Sequence, residues 1–213
     1  GARGFIGKNL AVRLGEIEGV QLLRFEREDD PCDLPALVGA ADAVVHLAGE
    51  NRPEDPQAFE EVNTDLTRSI CIAIRREAEV HGRDVPLILA SSIQAGHDNP
   101  YGRSKLAAEQ AVRALAEATG GRAVIFRLPG VFGKWSRPNY NSVVATFCHN
   151  VARGLPIHID NPETVLRLVY IDDVVEAIVA SLRSDEKGLH FVEAAPEYRI
   201  SLGELAATIR GFE

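Results

Sequence analysis

The sequence predicts an α/β fold in which a doubly wound parallel sheet carries a small C-terminal substrate lobe. Three observations predict it. Apolar, β-rich runs recur between longer amphipathic stretches, the rhythm of strands joined by crossover helices. The strand runs are apolar throughout and do not alternate, as expected where helices cover both faces of a sheet. A glycine-spaced turn opens the chain directly before a helical run.

Taken in order, the helical run Lys8 to Gly15 follows that turn, and the strands read as Val20 to Phe25, Ala43 to Leu47, Pro86 to Ala90 and Ala123 to Leu128. Amphipathic helices are expected over Gln57 to Val80 and Tyr101 to Thr119. After residue 134 the rhythm loosens into a loop over Ser136 to Asn141, a helix over Ser142 to Arg153 and short strands near Ile157 and Leu166. Asp172 to Ser184 reads as a helix with Val174, Val175, Ile178, Val179 and Leu182 on one face. Ser201 and Glu204 have the spacing of a capping box. The domain boundary is therefore set at residue 134, with residues 1–134 as the nucleotide-binding core and 135–213 as a lobe that returns elements to it. A strand should precede the glycine turn, and the sequence begins at the turn, so it reads as a fragment lacking its first strand.

Composition narrows the function. With 213 residues and 46% hydrophobic content the chain is long enough for a substantial core. No apolar run reaches the roughly 20 residues of a membrane span, and a cytoplasmic location is expected. A net charge of -8 opposes nucleic-acid binding and favours a small-molecule site served by a few placed arginines and backbone amides. Cys32, Cys71 and Cys148 are too few and too far apart for metal knuckles and read as core thiols, and the six histidines are scattered, so no metal is expected.

Gly1, Gly4 and Gly7 form a G-x-x-G-x-x-G turn, with Arg3, Phe5 and Ile6 between them, at the start of a helix. Such a turn brings backbone amides and a helix N-terminus to a pyrophosphate. About twenty residues on, where a dinucleotide fold reads the adenosine ribose, stand Glu26 and Arg27. The acid favours NAD and the arginine NADP. With Arg3 as a second cation, NADP(H) is preferred and NAD(H) possible.

Tyr101 and Lys105 are four residues apart at the start of a helix, which puts both on one face. A free tyrosine titrates at about pH 10, too high for ready proton exchange, so an adjacent ammonium is expected to draw Tyr101 downward. Ser92, with Ser91 in reserve, ends the strand before this helix and offers a hydroxyl to a reacting oxygen. The set Ser92, Tyr101 and Lys105 reads as machinery for carbonyl reduction, with Lys105 also holding the nicotinamide ribose.

Through Gly1 to Gly7, His46-Leu47-Ala48-Gly49, Ser91-Ser92 and Tyr101-Gly102-Arg103-Ser104-Lys105 the chain resembles the extended short-chain dehydrogenase/reductase family, a Rossmann-like group. Within it the chain looks closest to capsular-polysaccharide reductases acting on the way to UDP-N-acetyl-L-fucosamine, through Asn51-Arg52-Pro53, Ser91 to Ala95, Asp98 to Gly102, Gly133-Lys134-Trp135 and Pro138 to Ser142.

The resemblance implies an NADPH-dependent reduction of the 4-keto group of a UDP-linked 6-deoxy-N-acetylhexosamine, with a following zinc-bearing cupin domain whose sequence is not present here. It implies that Leu47, Ala48, Gly49, Pro129 and Val131 line the cofactor cleft and that Asn63 supports the catalytic helix. It places Asn51, Arg52, Gln94, Asn139, Asn141 and Arg167 toward the sugar nucleotide. A homodimer, through the family's helices or a downstream domain, is also implied.

The chain departs from the family at Gly130, where members usually carry Asn, and at Arg167, one place later than the usual phosphate-binding arginine. The spacing between Ser92 and Tyr101 is short, as in the capsular group. Ile93 and Gln94 after Ser92 lack the acidic pair a dehydratase needs. A 4-epimerase using NAD and a non-catalytic NAD(P) sensor remain as alternatives, the second typically having lost Tyr101 or Lys105.

Overall fold

The computed structural model describes residues 1–51, 55, 57 and 59–212. It contains two compact units, one made of Gly1–Leu128 with Ile178–Glu193 and the other of Pro129–Ala177 with Ala194–Glu213. The sequence places the boundary at residue 134, whereas the contacts place it six residues earlier, after Leu128.

The first unit begins with helix α1 (Phe5–Gly15), followed by a tight turn at Pro31–Asp33 and helix α2 (Leu34–Ala40). Strand β1 (Val44–His46) comes next, then a π-helical turn over Phe59–Asp65 that runs into helix α3 (Leu66–His81). Strand β2 (Leu87–Ser92), helix α4 (Pro100–Thr119) and strand β3 (Ala123–Leu128) complete the run. Gly82 and Gly120 end α3 and α4 in the left-handed conformation, which lacks a steric penalty only for glycine. Asn99 caps α4 by accepting from the Gly102 amide at 2.7 Å, with Pro100 at the first position, where no amide is needed.

The second unit contains β4 (Gly130–Phe132), α5 (Val143–Val151) and β5 (Val165–Tyr170). Helix α6 (Ile171–Arg183) crosses from this unit back to the first, where β6 (Leu189–Val192) follows. Strand β7 (Glu197–Ser201) and helix α7 (Leu202–Arg210) close the chain in the second unit. The Ser201/Glu204 capping box is present in full at the start of α7.

In the first unit β1, β2, β3 and β6 form a four-stranded parallel sheet in that order, with Leu87–Ser92 of β2 paired in register against Ala123–Leu128 of β3. Leu87, Leu89, Ala123 and Ile125 pack with Ile70, Ile74, Ala108, Val112 and Leu115 of α3 and α4 in one buried cluster. The second unit has its own three-stranded sheet, β4-β5-β7, and a cluster in which Phe147 and Val151 of α5 meet Leu205, Ala206 and Ile209 of α7.

Several expectations change. Val20 to Phe25 forms no ladder: a strand needs a neighbour, and Val20 and Leu23 stand exposed. Ile157 is likewise outside any strand, held by packing on the α5–α7 cluster. The helix expected over Gln57 to Val80 is π-helical through Phe59–Asp65. Of the three thiols only Cys71 is a core residue, for Cys32 and Cys148 are exposed. No helix of the described residues is long and apolar enough to cross a membrane.

Replacing Ile125, fully buried at the centre of the larger core, by Ala should destabilise the fold by about 3 kcal/mol. Urea unfolding of the variant beside the wild type measures this, and a loss near zero would refute the central place of Ile125.

Candidate active site

Helix α4 faces the carboxyl end of β2, and the site is built where they meet. Ser92 ends the strand, and its hydroxyl accepts from the Gln94 amide at 3.1 Å. Tyr101 lies in the first turn of the helix, half-buried, with the Ser92 hydroxyl in hydrogen-bond reach of its phenol and the Phe59 ring 6.0 Å away. Lys105, one turn on, is only 6% exposed. Its Nζ donates to the Ala90 carbonyl at 3.2 Å and lies 5.9 Å from the centre of the Tyr101 ring.

Gly102 is glycine because a Cβ there would come within 2.5 Å of the Gln94 carbonyl oxygen and 2.6 Å of that of His97. The turn after β2 thus rests directly on the start of α4. That close approach is what holds Ser92 beside Tyr101.

Electrostatics differ in one respect from expectation. Burial pushes the Tyr101 phenol above its usual range, and the Ser92 hydrogen bond opposes this only in part. Lys105 is not a source of the shift, since its ammonium sits over the ring face and donates to Ala90. Burial lowers Lys105 to about 8, against the pull of Glu109 in the other direction.

A second layer supports the helix. Asn63, 1% exposed in the π-helical turn, accepts from the Glu50 amide at 2.8 Å and donates to the Glu50 carbonyl at 2.9 Å and to Ser104 Oγ at 3.0 Å. Ser104 donates to the Tyr101 carbonyl at 2.8 Å, so the segment after β1 is tied to α4 through one amide side chain. Thr67 donates its only hydroxyl proton to the Asn63 carbonyl at 2.7 Å, and its oxygen therefore accepts from Nε2–H of His46 at 2.9 Å. His46 is fully enclosed and neutral, lowered to about 3 by burial and by the Lys105 charge. Sequence reasoning found Asn63 through the resemblance but missed Ser104, Thr67 and His46, whose roles depend on contacts across the fold.

The glycine turn packs against the end of β1. A Cβ on Gly1 would come within 2.5 Å of the Ala48 amide and 2.6 Å of the Leu47 carbonyl carbon, and one on Gly7 would meet the carbonyls of Gly1 and Ala2. These two glycines are required by the protein's own packing. Gly4 caps α1 without any side-chain hydrogen bond, leaving the first amides of the helix to a ligand. A Cβ on Gly49 would lie 2.8 Å from Lys105 Nζ, so the missing side chain there keeps space beside the ammonium. A helix N-terminus for a pyrophosphate and an ammonium on the first turns of α4 fit a dinucleotide.

The remaining expected residues fall in three groups. Arg3, 70% exposed, lies 3.8 Å from Glu26 and 3.6 Å from Glu28, while Arg27 is exposed. Phe5 and Ile6 open α1, half-buried; Asn51 is also half-buried, Gln94 is exposed, and Arg52 lies outside the described residues. Within the second unit, Pro129 and Val131 are half-buried at β4 and Asn139 and Asn141 are exposed. Asn139 has φ 55° and donates its amide to Thr146 Oγ1. Arg167, expected to meet phosphate, instead grips Glu197 with Nε at 2.8 Å and Nη2 at 2.5 Å across the β5–β7 pair. Among the described residues no group of His, Cys, Asp or Glu side chains is gathered as a metal site requires.

The enclosure of His46 has a consequence for acid stability. The unfolded chain takes up a proton below pH 6.5 and the folded chain only near 3, so stability is full above 6.5 and declines as pH falls between these values. The expected slope from this one residue is up to about 1.4 kcal/mol per pH unit. His46→Gln should flatten it, as urea unfolding at pH 7, 6, 5 and 4 would measure; parallel slopes would show that His46 titrates freely in the fold.

The chain is similar to several known proteins. A "UDP-2-acetamido-2,6-beta-L-arabino-hexul-4-ose reductase" of Pseudomonas aeruginosa is 47% identical over 212 residues, covering 100% of this chain and 56% of the relative. The crystal structure of the capsular polysaccharide assembling protein CapF from Staphylococcus aureus matches 100% of this chain and 57% of its own, at 36% identity and a TM-score of 0.84. The chain thus spans little more than half the length of these relatives. A UDP-glucuronic acid 4-epimerase from Bacillus cereus, solved in complex with NAD, shares the fold with a TM-score of 0.84 at 19% identity. The family model described as NAD dependent epimerase/dehydratase matches residues 1–194, and the chain belongs to that family.

Proposed function

We propose that the protein reduces the 4-keto group of a UDP-linked 6-deoxy-N-acetylhexosamine, with NADPH as the preferred reductant, in the making of a capsular or surface polysaccharide. The observation that carries this reading is the juxtaposition of Ser92, Tyr101 and Lys105 at the meeting of β2 and α4, in a chain 47% identical to a sugar-nucleotide ketone reductase.

The hydride is the chemistry that a bound reduced nicotinamide dinucleotide supplies. Residues of the glycine turn, Gly1, Gly4 and Gly7, together with Ala48 and Gly49, would hold it. Tyr101 donates its phenolic proton to the carbonyl oxygen, which becomes a hydroxyl. The high titration range of the buried phenol keeps that proton in place at neutral pH. Ser92 donates a hydrogen bond to the same oxygen, and the Lys105 ammonium would hold the ribose of the bound dinucleotide. Asn51 and Gln94 are our candidates for contact with the sugar.

Replacing Tyr101 by Phe should lower kcat by at least about a hundredfold while leaving the dinucleotide dissociation constant within about twofold. Lys105→Ala should impair both. The assay is NADPH oxidation by the full-length protein with a UDP-linked 4-keto-6-deoxy-N-acetylhexosamine. Turnover retained in Tyr101→Phe would refute the assignment, and a product with inverted C4 and no net NADPH consumption would select an epimerase.

The preference for NADP rests on exposure. Glu26 is mostly covered, with its carboxylate 11% exposed beside Arg3, whereas the Arg27 side chain stands exposed next to it. Arg27→Ala should weaken NADP binding about tenfold and change NAD binding little, consistent with one lost charge-assisted hydrogen bond. Equal losses in calorimetric titrations with the two cofactors would remove Arg27 from 2′-phosphate recognition.

A further inference from the structure

The spacing that joins Tyr101 to Lys105 continues one turn further, to Glu109. The three residues form a single stripe on α4 facing β2. Glu109 is 4% exposed, a burial that a carboxylate tolerates only with full hydrogen bonding. It accepts from Ser91 Oγ at 2.5 Å, from Arg127 Nε at 3.0 Å and from Arg127 Nη2 at 2.6 Å. Arg127, on β3, is fixed from its other side by the Phe191 ring, 5.1 Å from the guanidinium to the ring centre.

These contacts bear directly on the site. Ala90, Ser91 and Ser92 are consecutive at the end of β2. Lys105 grips the first through its carbonyl, Glu109 grips the second through its hydroxyl, and the third stands beside Tyr101. The strand end that presents Ser92 is therefore held by the stripe at two successive residues. Glu109 also stands one helical turn from Lys105, and its charge favours the buried ammonium.

Building on the reduction chemistry proposed above, we infer that Glu109 is a positioning residue. It locks the Ser91–Ser92 strand end against α4 and places its carboxylate one helical turn from Lys105.

The groups that act on Lys105 can be named element by element. Tyr101 and Glu109 lie on its own helix, and His46 at the end of β1 is neutral. Ser91 and Ser92 on β2 and Asn63 and Ser104 beside them carry no charge. Arg127 on β3 lies across Glu109 and offsets part of its field. Removal of the Glu109 charge lets burial lower Lys105 further, consistent with its opposing pull on that group. Removal of Arg127 has the opposite sign, because Glu109 then acts on Lys105 unopposed.

The test uses the full-length protein and two variants, with two readouts. In Glu109→Gln the alkaline limb of the kcat profile should move down by about one pH unit, and so should the titration midpoint of the Lys105 side chain followed by NMR. In Arg127→Gln, which removes the cation but keeps an amide N–H donor for the buried Glu109 carboxylate, both should move up. Glu109→Asp should restore most of the wild-type midpoint.

Midpoints unchanged in both variants, or moved in the same direction, would overturn the proposal. The NMR midpoint separates this inference from the reading on which it rests. If the wild type fails to turn over substrate while the midpoints move in opposite directions, the reductase reading fails and the inference about Glu109 stands.

Discussion

An ammonium group buried in a protein core must be given partners or it will shed its proton, and at Lys105 this requirement organises the surrounding structure. The Ala90 carbonyl at the end of β2 receives one of its hydrogen bonds. Gly49, lacking a side chain, leaves the space beside Nζ that a Cβ would fill. His46, close enough for the Lys105 charge to depress its protonation, is held neutral by enclosure, so no second cation competes there. Two chain segments distant from it in sequence are thus adapted to one charged atom.

The π-helical turn at Phe59–Asp65 supports the same helix. A π turn widens the helix and is seldom tolerated without a specific use. Here it carries Asn63, whose amide closes a pair of hydrogen bonds with Glu50 and reaches Ser104 on α4. At the α3–α4 interface Ile70, Ile74, Ala108 and Val112 pack in one apolar cluster. Apolar packing is nondirectional and tolerates sliding by fractions of an ångström. The asparagine and serine add direction, fixing the rotation of α4 at the turn that bears Tyr101.

What the sequence made legible was local. The G-x-x-G-x-x-G turn, the Tyr101–Lys105 spacing and the Ser201/Glu204 cap are each set by neighbours within a few residues, and each is present as read. The apolar runs of β2 and β3 were equally plain, because burial on both faces leaves no alternation to misread. Where the reading failed, the deciding partner lay far along the chain. Val20 to Phe25 has the composition of a strand, yet a ladder depends on a neighbour that composition does not specify. Arg167 was read toward the sugar nucleotide, though one place off the family's usual arginine, and on β5 its guanidinium pairs with Glu197 of β7. Glu109 was hidden for the same reason: nothing near it in sequence announces that Arg127 and Ser91 will converge on its carboxylate.

The glycine turn shows how a motif can be recognised for one reason and required for another. Three glycines at this spacing are commonly explained by close approach of a phosphate, yet two of them are already forced here by the protein itself. Gly1 lies against the Leu47–Ala48 backbone, and Gly7 lies under the carbonyls of Gly1 and Ala2. The turn must therefore pack tightly against the end of β1 before any ligand arrives. That packing brings the first amides of α1 and the space beside Gly49 into one unit with Lys105, so the anion-binding and ammonium-bearing ends of the site share a backbone frame. A side chain at Gly4 would press on the turn by a few tenths of an ångström, its Cβ 3.1 Å from the Gly1 carbonyl oxygen, whereas one at Gly1 or Gly7 would displace the frame itself.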